Sequence, residues 1–465
     1  MFHPWSGIVV LGVDHMTGCL AGFRLPIVLG NWFHAIKQAA ENGKLVLDPA
    51  RSARLRRGRF LKFCQSEPHP LRSTSKIMKI TRAEAIPIKV PLKPGRTTKT
   101  SHGEHVDSPY VIVRVHSDEG LVGLGEATLA PRWSGETSPG CVAAIEGLIA
   151  PALVGEDPTQ VNRLRRKMDG VIRRNPFTKA AVEMALWDLA GKSAGLPVYQ
   201  LLGGKVRDEL PIKMVVGAFD VPKAVDLAQQ FLEWGVKCLK IKVGLAPEQD
   251  LNRVRAVREL AGPSFPIGID ANCGWSVSQA TQMLNRMAEF DILFAEQPIS
   301  TADRAQLAAL RRRTDIPIMA DESLFTLNDA WQLTAERAVD ILSVYPGKHG
   351  GILATIEIAH VAQAAGIVCS MGSNLELGIG TAAMLHVGAA VNSIASEQYP
   401  GDFIGPLYHE ADMLKTPLTL GPQTASVPDG PGLGVELDED QLEQYRDQSG
   451  QAQAMGSTTG TTFEG

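Results

Sequence analysis

The sequence predicts an α/β protein built around a (β/α)8 barrel of the TIM type. Two observations lead to this prediction. Four short apolar runs rich in β-branched residues alternate with helical segments of about a dozen residues, and each run ends near a charged residue. The runs are Cys238–Gly244, Ile267–Asn272, Ile292–Pro298 and Ile316–Glu322. Their charged ends lie 28, 26 and 25 residues apart, which suits one strand, one helix and two short loops per step.

A smaller α+β unit is predicted ahead of the barrel. From Met78 onward, apolar and polar residues alternate in three short stretches, which predicts a three-stranded antiparallel meander followed by helices. The predicted strands are Lys79–Val90, Tyr110–His116 and Leu121–Glu126, and the predicted helices are Cys141–Ile149, Pro158–Val171 and Thr178–Ala194.

The remaining barrel elements flank the four central runs. The predicted elements are strand one at Leu210–Gly217 with its helix Val221–Trp234, the helix Leu327–Arg337, strand six within Asp340–Gly351, strand seven at Gly366–Gly372 and strand eight within Tyr399–Pro406. Together they complete the strand and helix alternation of a barrel.

The charged strand ends predict an active site. The carboxyl ends of parallel barrel strands face one mouth, so Lys240, Lys242, Asp270, Glu296 and Asp321 should meet there. Lys240 and Lys242 are two residues apart and leave the same face of a strand. Three carboxylates without Cys or His suit a hard divalent cation, Mg2+ or Mn2+. We expect proton transfer next to a substrate carboxylate, with the cation and Lys240 stabilising an enolate and Lys242 carrying the proton.

This prediction rests on the five residues together, because each of them alone has a simpler explanation. A lone Lys-Ile-Lys is usually a solvated strand end, and Asp270 or Asp321 could be a helix N-cap. Solvated strand ends and helix caps give no reason for a charged residue at the same place on four consecutive strands, so the simpler explanation does not account for all five residues.

The Lys-x-Lys on strand two, with Asp, Glu and Asp on strands three to five, resembles the muconate lactonizing branch of the enolase superfamily. The resemblance covers roughly Met78 to Arg446. It implies a modified barrel with an α+β capping domain, a divalent cation, a small carboxylate substrate and a homo-oligomer. The implied parts are the capping domain at 78–205, the barrel at 206–405 and a C-terminal return onto the capping domain at 406–446. Composition predicts that residues 1–77 are a disordered extension or an upstream-start artefact, and that residues 447–465 are a disordered tail.

The resemblance also implies substrate contacts. Two loops of the capping domain, Pro94–Asp107 and Ala130–Thr137, would close over the barrel mouth, although ordinary surface loops remain an alternative. The candidate contacts are His102, His105, Arg132 and Trp133 in these loops, and Asn272, Lys348 and Asp402 in the barrel.

Strand six departs from the family pattern. The branch usually has a second catalytic lysine three residues before the position of Lys348, and this chain has Tyr345 there. Racemases and epimerases normally need a base on each face of the substrate, so we expect a one-base reaction. Tyr345 could donate a hydrogen bond, act as the opposite acid or only pack. Ile404 replaces the second carboxylate that dipeptide epimerases carry after Asp402, which argues against an amino-acid ligand.

The leading prediction is therefore a muconate-cycloisomerase-like enzyme that performs syn lactonisation. The alternatives are a dehydratase of an acid sugar, an o-succinylbenzoate synthase-like lyase, and a barrel that binds metal without catalysis.

Composition limits the partners. The 465 residues include 46 basic and 50 acidic side chains, a net charge of −4, so neither nucleic acid nor an anionic membrane is expected as a partner. No run of eighteen apolar residues could span a bilayer. The six cysteines contain no Cys-x-x-Cys pair, which indicates reduced thiols and a cytoplasmic location. Residues 1–77 carry eleven basic and four acidic side chains, which leaves a nucleic-acid-binding arm as a minor alternative.

Overall fold

The computed structural model describes residues 77–301 and 304–447. The predicted extension, apart from Ile77, and the predicted tail, apart from Asp447, lie outside these residues. The described chain forms a three-stranded antiparallel sheet, a seven-stranded parallel sheet and two small two-stranded sheets. Nowhere in the described ranges is a helix both long and apolar enough to cross a lipid bilayer.

The capping domain is built on an antiparallel sheet in the order β1-β4-β5. Its strands are β1 Ile80–Pro91, β2 Thr98–Thr100, β3 Gly103–His105, β4 Asp107–Ser117 and β5 Val122–Thr128. The predicted meander is present, since β4 pairs antiparallel with both β1 and β5, and burial alternates along the last residues of β1 and at both ends of β4. The long first loop is not irregular: β2 and β3 pair within it as a short antiparallel hairpin.

Helices cover one face of this sheet. They are α1 Pro131–Ser134, α2 Ser138–Ala144, α3 Ala150–Leu153, α4 Val161–Val171, α5 Pro176–Ala194 and α6 Val198–Leu201, with a π-helical turn at Ile145–Ile149. The helix α5 lies against β5 so closely that a Cβ on Gly125 would stand 1.8 Å from the carbonyl oxygen of Ala181. Only glycine permits this approach.

The barrel contains seven parallel strands in sequence order, β7 to β13. The strands are β7 Met214–Val216, β8 Leu239–Lys242, β9 Ile267–Asp270, β10 Ile292–Glu296, β11 Ile318–Ala320, β12 Ile341–Val344 and β13 Val368–Met371. The helices are α7 Val221–Trp234, α8 Pro247–Ala261, α9 Val277–Met287, α10 Arg304–Arg311, α11 Leu327–Ala335, α12 Pro346–His349, α13 Ile352–Ala364 and α14 Gly378–Ala390, with a 3-10 turn at Ala288–Phe290. The predicted alternation, and with it the α/β barrel fold, is confirmed.

The barrel closes without a regular eighth strand, contrary to the sequence prediction. The segment around Gly401 bridges the two open edges: the Gly401 N–H donates to Pro211, and the Asp402 N–H donates to Met371 at the end of β13. The Lys213 N–H also donates to the Gly401 oxygen, so isolated backbone hydrogen bonds replace a ladder here and make the barrel a modified one. The predicted first strand is also shorter, because Glu209–Pro211 forms β6 and pairs outside the barrel with β14, Thr424–Ser426.

The last described residues return to the capping domain. They include the helices α15 Gly405–Tyr408 and α16 Glu439–Gln444. The backbone N–H of Lys89 in β1 donates to Tyr445, and that of Lys93 donates to Tyr408.

Buried carboxylates of the capping domain hold the first turns of barrel helices. Glu126 accepts the N–H groups of Leu377 and Gly380 at the start of α14, and Glu183 accepts those of Ile352 and Leu353 at the start of α13. The first N–H groups of a helix have no partner within the helix, and a carboxylate there also favours the helix dipole. These contacts fix the capping domain over the barrel mouth.

Candidate active site

A cavity of about 300 Å3 lies at the carboxyl ends of the barrel strands, beneath the β2–β3 hairpin and α1. It brings together most of the residues that the sequence singled out. Those lining it are Lys240, Lys242, Asp270, Asn272, Glu296, Asp321, Tyr345, Asp402, His102, His105, Arg132 and Trp133. The hairpin and α1 therefore form the roof of the cavity, which is where the sequence placed the two substrate-selecting loops.

Lys240 is a permanently charged group at the base of the cavity. Its Nζ lies 2.7 Å from Asp402 Oδ2, 2.9 Å from Glu296 Oε2 and 3.8 Å from Asp270 Oδ2. Burial by itself lowers the pKa of Lys240, but the three carboxylates outweigh this and leave the pKa well above its usual value. Lys240 is therefore suited to hold an anion and not to carry a proton.

Lys242 lies two residues after Lys240, at the end of β8, and its side chain is 12% exposed. Its Nζ donates to Asp270 Oδ2 at 2.6 Å and to Asn272 Oδ1 at 3.0 Å. Burial, and then the charge of Lys242, lowers the pKa of His105 in the hairpin. Lys242 lines the cavity from the end of β8.

The three predicted metal ligands, Asp270, Glu296 and Asp321, stand at the ends of β9, β10 and β11 and all line the cavity. Within residues 77–301 and 304–447, however, no three Asp, Glu, His or Cys side chains are grouped so that they could hold a metal ion. Each carboxylate is turned towards a lysine instead, as a buried charge requires. The pairs are Lys242–Asp270 at 2.6 Å, Lys240–Glu296 at 2.9 Å and Lys348–Asp321 at 2.5 Å.

The residues nonetheless fit a hard divalent cation. All the donors are carboxylate oxygens, the set that Mg2+ prefers. Burial raises the pKa of Asp270 and of Asp321, and the neighbouring carboxylates of Glu296 and Glu322 raise both further. A bound cation would relieve this crowding of negative charge. The metal ligand set stays a prediction.

The position of Lys348 does not support the prediction that it binds substrate. Its side chain is 0% exposed and does not line the cavity. The ammonium donates to Oδ1 and to the backbone oxygen of Asp321, and to the backbone oxygen of Ser343 at 2.8 Å. Lys348 therefore lies behind Asp321 and neutralises it, because the short helix α12 turns the side chain away from the mouth.

Asn272 was also predicted to bind substrate, but its side-chain amide already has a protein partner at each end. Oδ1 accepts from Lys242, and Nδ2 donates to Glu322 at 3.1 Å. Asn272 therefore lines the cavity mainly as a support for Lys242.

Tyr345 lies on the strand-six side of the cavity within an aromatic group. Its ring centroid lies 6.4 Å from those of Trp133 and Phe177, and the Lys348 ammonium lies 4.9 Å from its ring centre. Burial, and then the charge of Asp321, raises the pKa of Tyr345 well above its usual value. The phenol therefore stays protonated and can donate a hydrogen bond, but it cannot replace a lysine as a base.

Sequence reasoning missed Lys213 behind the cavity. Its ammonium, 1% exposed, donates to the Pro400 oxygen and lies 3.3 Å from Asp402 Oδ2. Asp402 thus lies between Lys213 and Lys240, while its Oδ1 is buried and has no hydrogen-bond partner in the part of the chain that the structure describes. The sequence does contain a signal for this residue, because Lys213 is a charged residue inside the apolar run Leu210–Gly217.

Glu322 and Gln297 were also missed. Gln297 accepts the N–H groups of Asp321 and Ser323 through one side-chain oxygen, and so joins the ends of β10 and β11. Glu322 accepts from His102 and Asn272. Both residues directly follow a predicted metal ligand, which is the only signal that the sequence carries for them.

A barrel with a capping domain, and two lysines and three carboxylates at one strand-end mouth, defines a two-domain barrel enzyme. Two family models match the chain. Residues 79–203 match the mandelate racemase/muconate lactonizing enzyme N-terminal domain, and residues 223–441 match the enolase C-terminal domain-like family. The chain belongs to the mandelate racemase/muconate lactonizing enzyme family of the enolase superfamily.

Relatives of this chain catalyse different reactions. The N-succinyl-L-Arg/Lys racemase of Bacillus cereus is 31% identical over 79% of this chain and 98% of the relative. Muconate cycloisomerase 1 of Pseudomonas putida is 35% identical over 72% of this chain and 90% of the relative.

The solved structures that resemble this chain also belong to enzymes with different reactions. The muconate lactonizing enzyme of Pseudomonas fluorescens, complexed with muconolactone, has a TM-score of 0.76 and 32% identity, covering 80% of this chain and all of the other. A dipeptide epimerase of Cytophaga hutchinsonii, complexed with Mg and D-Ala-L-Val, has a TM-score of 0.75 and 32% identity, covering 79% and 98%. Family membership therefore leaves the particular reaction open.

Proposed function

We propose that this enzyme forms an enolate from a small carboxylate and acts as a muconate-cycloisomerase-like enzyme, closing a lactone by syn addition. The observation that carries the proposal is the asymmetry of the cavity. Lys242 faces it from one side, and the strand-six side carries the protonated phenol of Tyr345 where a second base would stand. Among the described residues that line the cavity, Lys240 and Lys242 are the only lysines.

In this reaction one carboxylate of a conjugated diacid adds across a double bond and forms the ring C–O bond. The electron pair of that double bond moves towards the second carboxylate and gives an enolate. The Lys240 ammonium, held charged by Asp402 and Glu296, lies where it can stabilise that anion. Lys242 then donates a proton to the carbon next to the second carboxylate, on the face where oxygen was added.

Asp270, Glu296 and Asp321 would hold the divalent cation. When bound, the cation supplies additional positive charge beside the substrate carboxylate. Mg2+ accompanies a dipeptide epimerase relative, and Mn2+ suits the same oxygen ligands.

The racemase and epimerase relatives make a two-base reaction the obvious competitor. Racemisation runs in both directions, so a group on each face of the substrate must be able to act as a base. Lys348 cannot do so from behind Asp321, and Tyr345, whose raised pKa keeps it protonated, is not a base. The cavity of this chain therefore favours a reaction in which a single base or acid acts on one face of the substrate.

A second candidate is favoured by Asp402. Its Oδ1 is buried, accepts no hydrogen bond from any described residue and belongs to a cavity-lining residue, so a substrate hydroxyl could donate to it. Muconate has no such donor, whereas an acid sugar has several. A dehydratase that eliminates water from a hydroxy acid is therefore the alternative.

The test is the ultraviolet loss of cis,cis-muconate with Mn2+ present, compared between the parent protein and Lys242→Ala. Loss of a general acid is expected to reduce turnover by about 100- to 10,000-fold. Lys237→Ala is the matched control, because Lys237 is exposed just before the same strand and should leave turnover unchanged. No turnover by the parent, or equal turnover by Lys242→Ala, would reject the proposal, and turnover of an acid sugar would favour the dehydratase.

A further inference from the structure

Three hydrogen bonds connect the β2–β3 hairpin to the acid/base lysine. His102 Nε2 at the hairpin tip lies 3.1 Å from Glu322 Oε1. The same oxygen accepts from Asn272 Nδ2 at 3.1 Å. Asn272 Oδ1 in turn accepts from Lys242 Nζ at 3.0 Å. We refer to His102, Glu322, Asn272 and Lys242 as the hairpin latch.

Charge fixes the direction of every bond in the latch. A carboxylate only accepts, so His102 Nε2 carries the proton and the Asn272 NH2 group faces Glu322. An ammonium only donates, so the Asn272 oxygen faces Lys242. Because the ammonium favours the amide oxygen and the carboxylate favours the NH2 group, both charges hold the Asn272 amide in the same orientation.

The backbone around Asn272 supports the same geometry. Asn272 has a φ of 43°, in the left-handed region, and its N–H donates to Asp270 Oδ1 at 2.9 Å. Ser101, next to His102, donates its hydroxyl proton to the Asn272 carbonyl. The hairpin tip therefore contacts Asn272 directly as well as through Glu322.

Stability of the fold does not explain Glu322. Its side chain is 7% exposed, and its Oε2 is buried with no hydrogen-bond partner among residues 77–301 and 304–447. A buried acceptor without a partner lowers stability, so a neutral apolar side chain at this position would suit the fold better. Such a cost is typical of residues that serve an active site.

We propose that Glu322 and Asn272 are positioning residues, which aim the Lys242 amine at the substrate only when the hairpin has closed and His102 binds Glu322. This inference rests on the proposed acid/base role of Lys242. It assigns the hairpin a part in the proton-transfer step in addition to covering the cavity. Substrate enters with the hairpin open, when Lys242 is not yet held in its reactive position.

The first test needs no substrate. Each protein is treated with isotopically labelled acetic anhydride at one pH, and mass spectrometry measures the labelling rate of Lys242 relative to exposed Lys415. We expect His102→Leu and Glu322→Gln to raise the relative rate about fivefold, the effect of losing one hydrogen bond. His102→Gln keeps a donor near the Nε2 position and should restore the parent rate.

Thr97→Ala is the matched control, because the Thr97 hydroxyl donates to Glu104 within the hairpin and Thr97 does not line the cavity. Its Lys242 labelling should equal that of the parent. Equal Lys242 labelling rates in the parent, His102→Leu and Glu322→Gln would overturn the proposal that the hairpin latch positions Lys242. His102→Leu lies at the partly exposed hairpin tip, so the test stands even if Glu322→Gln does not fold.

The second test separates positioning from covering. With cis,cis-muconate and Mn2+, we expect Glu322→Gln to lower kcat about fivefold with little change in KM. A rise in KM at unchanged kcat would overturn the positioning role and leave only a lid. If the parent does not consume muconate but the labelling changes as expected, the proposed reaction fails while the latch is supported.

Discussion

Replacing Lys348 by Met tests how the buried charges behind the cavity balance one another. The Lys348 ammonium makes three hydrogen bonds, two of them to Asp321, and no part of its side chain is exposed. Lys348→Met leaves the Asp321 carboxylate, only 10% exposed, without its counter-charge. Breaking a buried pair from one side costs about 3–5 kcal/mol. We therefore expect the free energy of unfolding to fall by that amount when metal is removed.

A divalent cation should reduce this loss, because it compensates the Asp321 charge in place of the ammonium. The assay is equilibrium unfolding in urea, followed by circular dichroism, with EDTA and then with excess Mg2+. Lys415→Met is the control: its partner Glu436 is exposed and lies 3.5 Å away, so the expected loss is below about 1 kcal/mol. An equal loss with EDTA and with Mg2+ would refute the assignment of Asp321 as a metal ligand, and a loss near that of the control would refute the buried pair.

Two further predictions concern stability. Burial lowers the pKa of His386 to about 4, whereas an exposed histidine titrates near 6.5. The unfolded chain takes up this proton first, so His386 contributes about 3 kcal/mol above pH 6.5 that is lost as the pH falls towards 4. His386→Gln should flatten the dependence of urea stability on pH across this range, and an unchanged slope would contradict the explanation. Gly125→Ala should cost about 3 kcal/mol or more, because the new methyl group would meet the Ala181 oxygen, and an unchanged melting temperature would contradict the close approach.

The four central barrel strands, β8 to β11, were predictable because each one is a short apolar run that ends at or beside a charged residue. That pattern is local, and β8 to β11 lie within the runs that the sequence marked. The prediction of an eighth strand was wrong, since the Tyr399–Pro406 run has strand-like residues but meets its neighbours only through an isolated bridge and a few backbone hydrogen bonds. Whether an extended segment becomes a strand depends on the edge it meets, which no local pattern records.

The sequence by itself determined the family, the order of strands and the residues at their ends, because spacing along a parallel barrel places those residues at one mouth. Only the tertiary structure decided which charges meet. Lys348 was predicted to touch substrate and instead neutralises Asp321. The contact of His102 with Glu322 joins residues 220 positions apart, and the Asp402 contact with Lys240 joins residues 162 apart. Side chains this distant are brought together by how the chain packs, so their pairing has no signature in the order of the residues.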